Sequence, residues 1–96
     1  MRVIKSSDMK EVGVEITCYA LTDNYLEVVE DFLERMRAYE MLELKTNHMS
    51  TRVLGTYEDV MHALQTEMKT SFEQEHKVSF VMKVLNDPIR DGVLDR

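Results

Sequence analysis

Apolar and polar positions alternate cleanly from Val12 onward. Val12, Val14, Ile16, Cys18 and Ala20 point one way, and Gly13, Glu15, Thr17 and Tyr19 point the other. That is the period of a strand with one buried face. Leu21-Thr22-Asp23-Asn24 then supplies turn residues and several helix N-caps. From Tyr25 to Met41 the apolar spacing becomes helical: Tyr25, Val29, Phe32, Leu33 and Met36, with Leu26 and Ala38 widening the stripe and charged residues filling the other side. A second alternating run covers Leu42 to Thr46. A third runs from Ser50 to Leu54, with Val53 as its core residue and Arg52 on the solvent side. The connection Asn47-His48-Met49 makes these two strands antiparallel.

Gly55-Thr56-Tyr57-Glu58-Asp59 is a helix start, Thr56 and Asp59 having the spacing of a capping box. Tyr57, Met61, Leu64, Met68 and Phe72, helped by Val60, carry the second helical stripe. Lys77 to Leu85 alternates again, Val78, Phe80, Met82 and Val84 against Ser79, Val81, Lys83 and Leu85. Apolar residues on both sides predict a central strand there, covered by a partner subunit. Asn86-Asp87-Pro88 ends it, because proline cannot donate to a ladder.

The order is β-α-β-β-α-β. With right-handed crossovers it predicts an α+β ferredoxin-like sandwich, a four-stranded antiparallel sheet with both helices on one face. The expected organisation is a loose N-terminal leader over residues 1–11, one ferredoxin-like ligand-binding domain over 12–86, and a polar C-terminal tail over 87–96. Element order says nothing about activity, since this fold hosts many functions.

Composition narrows the classes. The 96 residues suit one domain, and 44% apolar content suits a packed core. A net charge of −6 without a basic run argues against nucleic acid and against an anionic membrane surface. The N-terminus lacks the apolar run of a secretion signal, and no stretch is long enough to span a bilayer, so a cytoplasmic location is expected. Cys18, the single cysteine, cannot form an internal disulfide and lies on the apolar side of its strand. His48, His62 and His76 have no metal-site spacing, and no phosphate loop, nucleophile elbow or paired-carboxylate signature occurs. No metal or cofactor is expected, and a non-catalytic role is favoured.

The segment Asn47-His48-Met49-Ser50-Thr51-Arg52-Val53-Leu54-Gly55 gathers hydroxyl and amide side chains at a strand junction. Such a cluster is either ordinary turn chemistry or the floor of a small-molecule site. Three stretches together resemble a known family: Glu15-Ile16-Thr17-Cys18-Tyr19-Ala20, the segment just named with Thr56 to Met61 after it, and Lys77 to Asn86. In that order and spacing, from about Val12 to Asn86, they are similar to the YkoF-related proteins that bind thiamine or hydroxymethylpyrimidine.

The resemblance implies a single-unit chain that self-associates through the helix-free sheet face as a dimer or tetramer. It also implies a ligand site in each subunit. Asn47, Ser50 and Thr51 would offer donors and acceptors to an aminopyrimidine edge, with His48 in the same segment, and Met49 would cover a ring face. Glu15 would supply a counter-charge, and Thr17 shares its face. Two other classes stay open: a small dimeric enzyme with His48 as its titratable group, and a dimerisation or regulatory module without a ligand.

Overall fold

The computed structural model of the chain describes residues 10–47 and 50–90. Its elements are β1 (Glu11–Ala20), α1 (Tyr25–Arg37), β2 (Glu43–Thr46), β3 (Thr51–Thr56), α2 (Tyr57–Phe72) and β4 (Val78–Leu85). The four strands form one antiparallel sheet in the order β2-β3-β1-β4. This is the ferredoxin-like arrangement that the alternating and helical runs predict.

Register fixes which side chains share a face. Val12, Val14 and Ile16 stand opposite Gly55, Val53 and Thr51. The same side of the sheet carries Leu44 on β2 and Phe80 on β4. Helix α1 places Val28, Phe32, Leu33 and Met36 against this face, and α2 places Val60, Ala63 and Leu64 there. Val53, Met36, Val60, Ala63 and Leu64 are fully buried, which makes this the main core. Each of the larger ones, Val53, Met36, Val60 and Leu64, contributes about 1.5–3 kcal/mol when removed from water.

Both helical stripes are rotated relative to the spacing read from the sequence. Val28 is buried in α1, while Tyr25 and Leu26 are exposed. Ala63 and Ser71 are buried in α2, while Tyr57 and Phe72 are exposed. The α2 start is as expected: the Thr56 side chain accepts from the Asp59 N–H at 3.3 Å. Helix α1 ends at Arg37, before the predicted Met41, and its last turn tightens through Tyr39 N–H to the Met36 carbonyl.

One polar network pins the helices together. Arg35 donates to the Glu67 carbonyl at 2.8 Å, to Glu67 Oε1 at 3.0 Å and to Ser71 Oγ at 2.7 Å. The Tyr39 hydroxyl donates to Glu67 Oε2 at 2.7 Å, and that bond raises the tyrosine pKa. Among the described residues no buried side-chain nitrogen or oxygen lacks a partner.

Strand β4 departs from expectation. It is an edge strand, not a central one. Its apolar residues on both sides are largely exposed: Val81, Met82, Val84 and Leu85. Apolar character on both faces therefore marks an uncovered edge here rather than an interior position.

The chain after β4 turns back across the helix-free face. Arg52 donates to the carbonyls of Pro88, at 2.9 Å, and of Ile89. The Arg90 guanidinium holds both Glu11 oxygens, at 2.9 and 2.6 Å, and Glu43 at 2.7 Å. Lys45 donates to the Arg90 carbonyl. A Cβ on Gly13 would lie 2.9 Å from the Asp87 carbonyl oxygen, so glycine is what lets the strap lie flat there. Leu54, paired with Gly13 and with Glu43, lies beneath this path, fully buried and outside the main core. Arg52, expected on the solvent side, is half-buried because the strap crosses it.

Candidate ligand-binding site

A cavity of about 350 Å³ opens between α1 and the sheet, where β1 and the β2–β3 hairpin end. Ile16, Thr17 and Cys18 come from β1, Leu26, Val29, Glu30, Phe32 and Leu33 from α1, and Thr46, Asn47, Ser50 and Thr51 from the hairpin. It is of the size that small-molecule sites usually have.

The hairpin side is built by its own hydrogen bonds. Asn47 N–H donates to the Ser50 carbonyl at 3.0 Å, and Ser50 N–H donates to Asn47 Oδ1 at 2.9 Å. This closes the turn with an amide side chain in place of a further backbone bond. Thr46 and Thr51, directly opposite in the ladder, bring their hydroxyls within 3.2 Å on the helix-covered side. Thr51 is buried, so that hydroxyl pair is a polar patch at the base of the cavity.

The α1 side is apolar, with Leu26, Val29, Phe32 and Leu33 following helical spacing. Leu26 is 65% exposed, at the mouth of the cavity. The Cys18 thiol is half-buried, and burial pushes its pKa up, partly offset by Arg35. A thiol held protonated in this way is an apolar lining group rather than a nucleophile.

Of the residues singled out in the sequence, Thr17, Asn47, Ser50 and Thr51 line the cavity. His48 and Met49 lie outside the described residues. Glu15 is elsewhere. Its register partners Arg52 and Lys83 place it on the helix-free face. There it accepts from Ser50 Oγ at 3.2 Å, faces Lys83 at 4.0 Å, and lines a second cavity of about 370 Å³ beside the strap. The charged residue that does line the candidate site is Glu30, which the sequence offers only as one of several acidic residues on the polar side of α1. Its position four residues after Leu26 and three before Leu33 is the signal that an amphipathic reading passes over.

Among the described residues no group of three potential metal ligands is assembled. No helix among them is long and apolar enough to cross a membrane.

These features define a small α+β sandwich with a part-polar cavity at one end of its helix-covered face. No protein-family model and no curated protein sequence matches the chain. Solved structures do share its fold. A hypothetical protein from Methanocaldococcus jannascii superposes with a TM-score of 0.68 at 22% identity, over 79% of each chain. A candidate thiamine biosynthesis/salvage protein from Thermotoga maritima gives 0.61 at 17% identity, over 76% of this chain and 82% of that one. A domain of unknown function from Bacillus cereus gives 0.68 at 15% identity, over 82% of this chain and 78% of that one.

Proposed function

We propose that the chain is a non-catalytic binding protein for a small heteroaromatic molecule, with thiamine or its hydroxymethylpyrimidine part as the leading ligand. The observation that carries this reading is the division of the cavity. One lip carries the Thr46 and Thr51 hydroxyls beside Asn47 and the Ser50 backbone, and the other is a largely apolar wall from α1. A flat ring with donors and acceptors on one edge needs that combination. The description of the Thermotoga maritima neighbour supports the choice of ligand.

The experiment is a thermal melt with and without each ligand, and with an unrelated cation. A molecule that binds the folded chain alone must raise its melting temperature by mass action. We expect a rise with thiamine or its pyrimidine and none with the unrelated cation. Thr51→Val keeps the shape and removes the hydroxyl. It should weaken binding about five- to twentyfold, the worth of roughly one buried hydrogen bond. Unchanged affinity in that variant would remove the site assignment, and no shift with either ligand would remove the ligand.

Self-association belongs to the same proposal, with a second copy of the chain as the partner. Support comes from the β1–β4 part of the helix-free face, left open beyond the strap, where Tyr19 and Val81 are exposed beside the unpaired edge of β4. Such an edge is a template for another strand or sheet. Sedimentation equilibrium that finds a monomer at every concentration tested would end this part of the reading.

A further inference from the structure

We propose that the strap, Asp87 to Arg90, is a releasable latch that competes with a second copy of the chain for the helix-free face. Its release tightens self-association. The proposal rests on the self-association reading given above and names its regulation.

The strap is held in a way that can be undone. Its tie is electrostatic: the Arg90 guanidinium spans Glu11 and Glu43, and these three side chains are 37, 44 and 47% exposed. Ion pairs in such contact with water hold weakly. Ile89, inside the strap, has a φ of 47°, left-handed backbone that a β-branched residue adopts only under constraint. It is kept there by its N–H, which donates to Asp87 Oδ1 at 2.9 Å, and by Arg52, which donates to its carbonyl. Release relieves that strain. The seat is also loose, since a cavity of about 370 Å³ stays open between the strap and β1 and β4, beside Leu85, Pro88 and Ile89.

What the strap covers is continuous with what it leaves open. Gly13 and Leu54 lie beneath it. On the same side β1 and β4 run on from Gly13 and Leu85 to the exposed Tyr19 and Val81. The charges of this face suit a second copy. Glu11, Glu15 and Glu43 are matched there by Lys45, Arg52 and Lys83, in a chain whose net charge is −6. Two copies therefore meet across a balanced face without the repulsion that the acidic remainder would bring. A second sheet laid flat on this face takes the place of the strap, and in a two-fold pair both straps leave.

The test is sedimentation equilibrium of the full chain as wild type, Arg90→Gln, Glu11→Gln and Arg37→Gln. The first substitution makes the chain more acidic and the second less, so only loss of the shared latch moves both the same way. Loss of an exposed ion pair should open each strap about threefold more often. Because both straps of a pair open, the dissociation constant should fall about tenfold in Arg90→Gln and in Glu11→Gln. Arg37→Gln removes the same charge from α1, where Arg37 pairs with Glu34 at 2.7 Å, and should leave the constant unchanged. In the dilute monomer, exchange of the Ile89 amide should quicken in both latch variants.

Weaker association in the latch variants would overturn the proposal, because the strap would then be part of the interface. Unmoved constants in a chain that does associate, or unmoved exchange at Ile89, would overturn it as well and leave the self-association reading in place. A chain that is monomeric in all four forms would remove that reading, and this proposal with it. Melting temperatures verify that each variant is folded.

Discussion

The two faces of this sheet are covered by different physics. The helix-covered face is closed by interlocked apolar side chains, with Phe32, Met36, Val53 and Leu64 at or near zero exposure. The helix-free face is closed over β3 and part of β1 by four residues, Asp87 to Arg90, tied down by Arg52, Lys45, Glu11 and Glu43. One cover is cooperative and insensitive to salt. The other is local and charged, and it has a single apolar side chain, Leu54, fully buried beneath it. A small sheet can thus hold one face permanently and the other conditionally.

Cavity-making substitutions should give the largest separation. Leu64→Ala opens a hole in the interlocked core and should cost about 3–5 kcal/mol in chemical denaturation. Leu54→Ala removes the same group beneath the strap, which can settle into the space, so about 2 kcal/mol is expected. Equal costs would mean that the strap side is packed as rigidly as the helix side.

Gly13→Ala tests the strap more directly. Its Cβ meets a backbone oxygen at 2.9 Å, so the strap must lift or the strand must shift. A loss of about 1–2 kcal/mol is expected, as for modest overpacking. Amide exchange should quicken at Ile89 and Arg90 and stay unchanged at Val53. Faster exchange at Val53 would show that the two faces are coupled after all.

Arg90→Ala should have the smallest effect, and a pH-dependent one. The Arg90 hydrogen bonds hold the Glu11 carboxyl below the usual carboxylate range. A depressed folded-state pKa gives stability that is complete above the ordinary carboxylate value and is lost as pH falls through the depressed one. Arg90 itself stays protonated throughout. Wild type and Arg90→Ala should therefore differ slightly in melting temperature at neutral pH and converge in acid. A gap that persists below the carboxylate range would mean that Arg90 holds the strap through something other than its Glu11 and Glu43 carboxylates.

What was legible in the sequence follows the range of the interactions. Alternation through Val12, Val14 and Ile16 and the Thr56–Asp59 cap are local, and the strand and helix they predict are where they were expected. The polar hairpin was visible as well, since Asn47, Ser50 and Thr51 gather turn-type amide and hydroxyl groups between two alternating runs. The strap was not. Its anchors join Arg90 to Glu11 across nearly the whole chain, and no local pattern encodes such a pair. Glu30 was hidden for a different reason: an acid on the polar side of a helix looks solvated until the hairpin is seen to close the space in front of it. The position of β4 was misjudged because a two-sided apolar strand is ambiguous between an interior place and an uncovered edge.

The half-buried thiol of Cys18 gives the candidate cavity a built-in reporter. It is the single cysteine in the chain, and it lines that cavity rather than the outer surface. Burial raises its pKa, so it stays protonated and reacts slowly with a small alkylating reagent at neutral pH. The rate at which one covalent adduct grows in a mass spectrum is then a direct clock of how often the cavity stands empty.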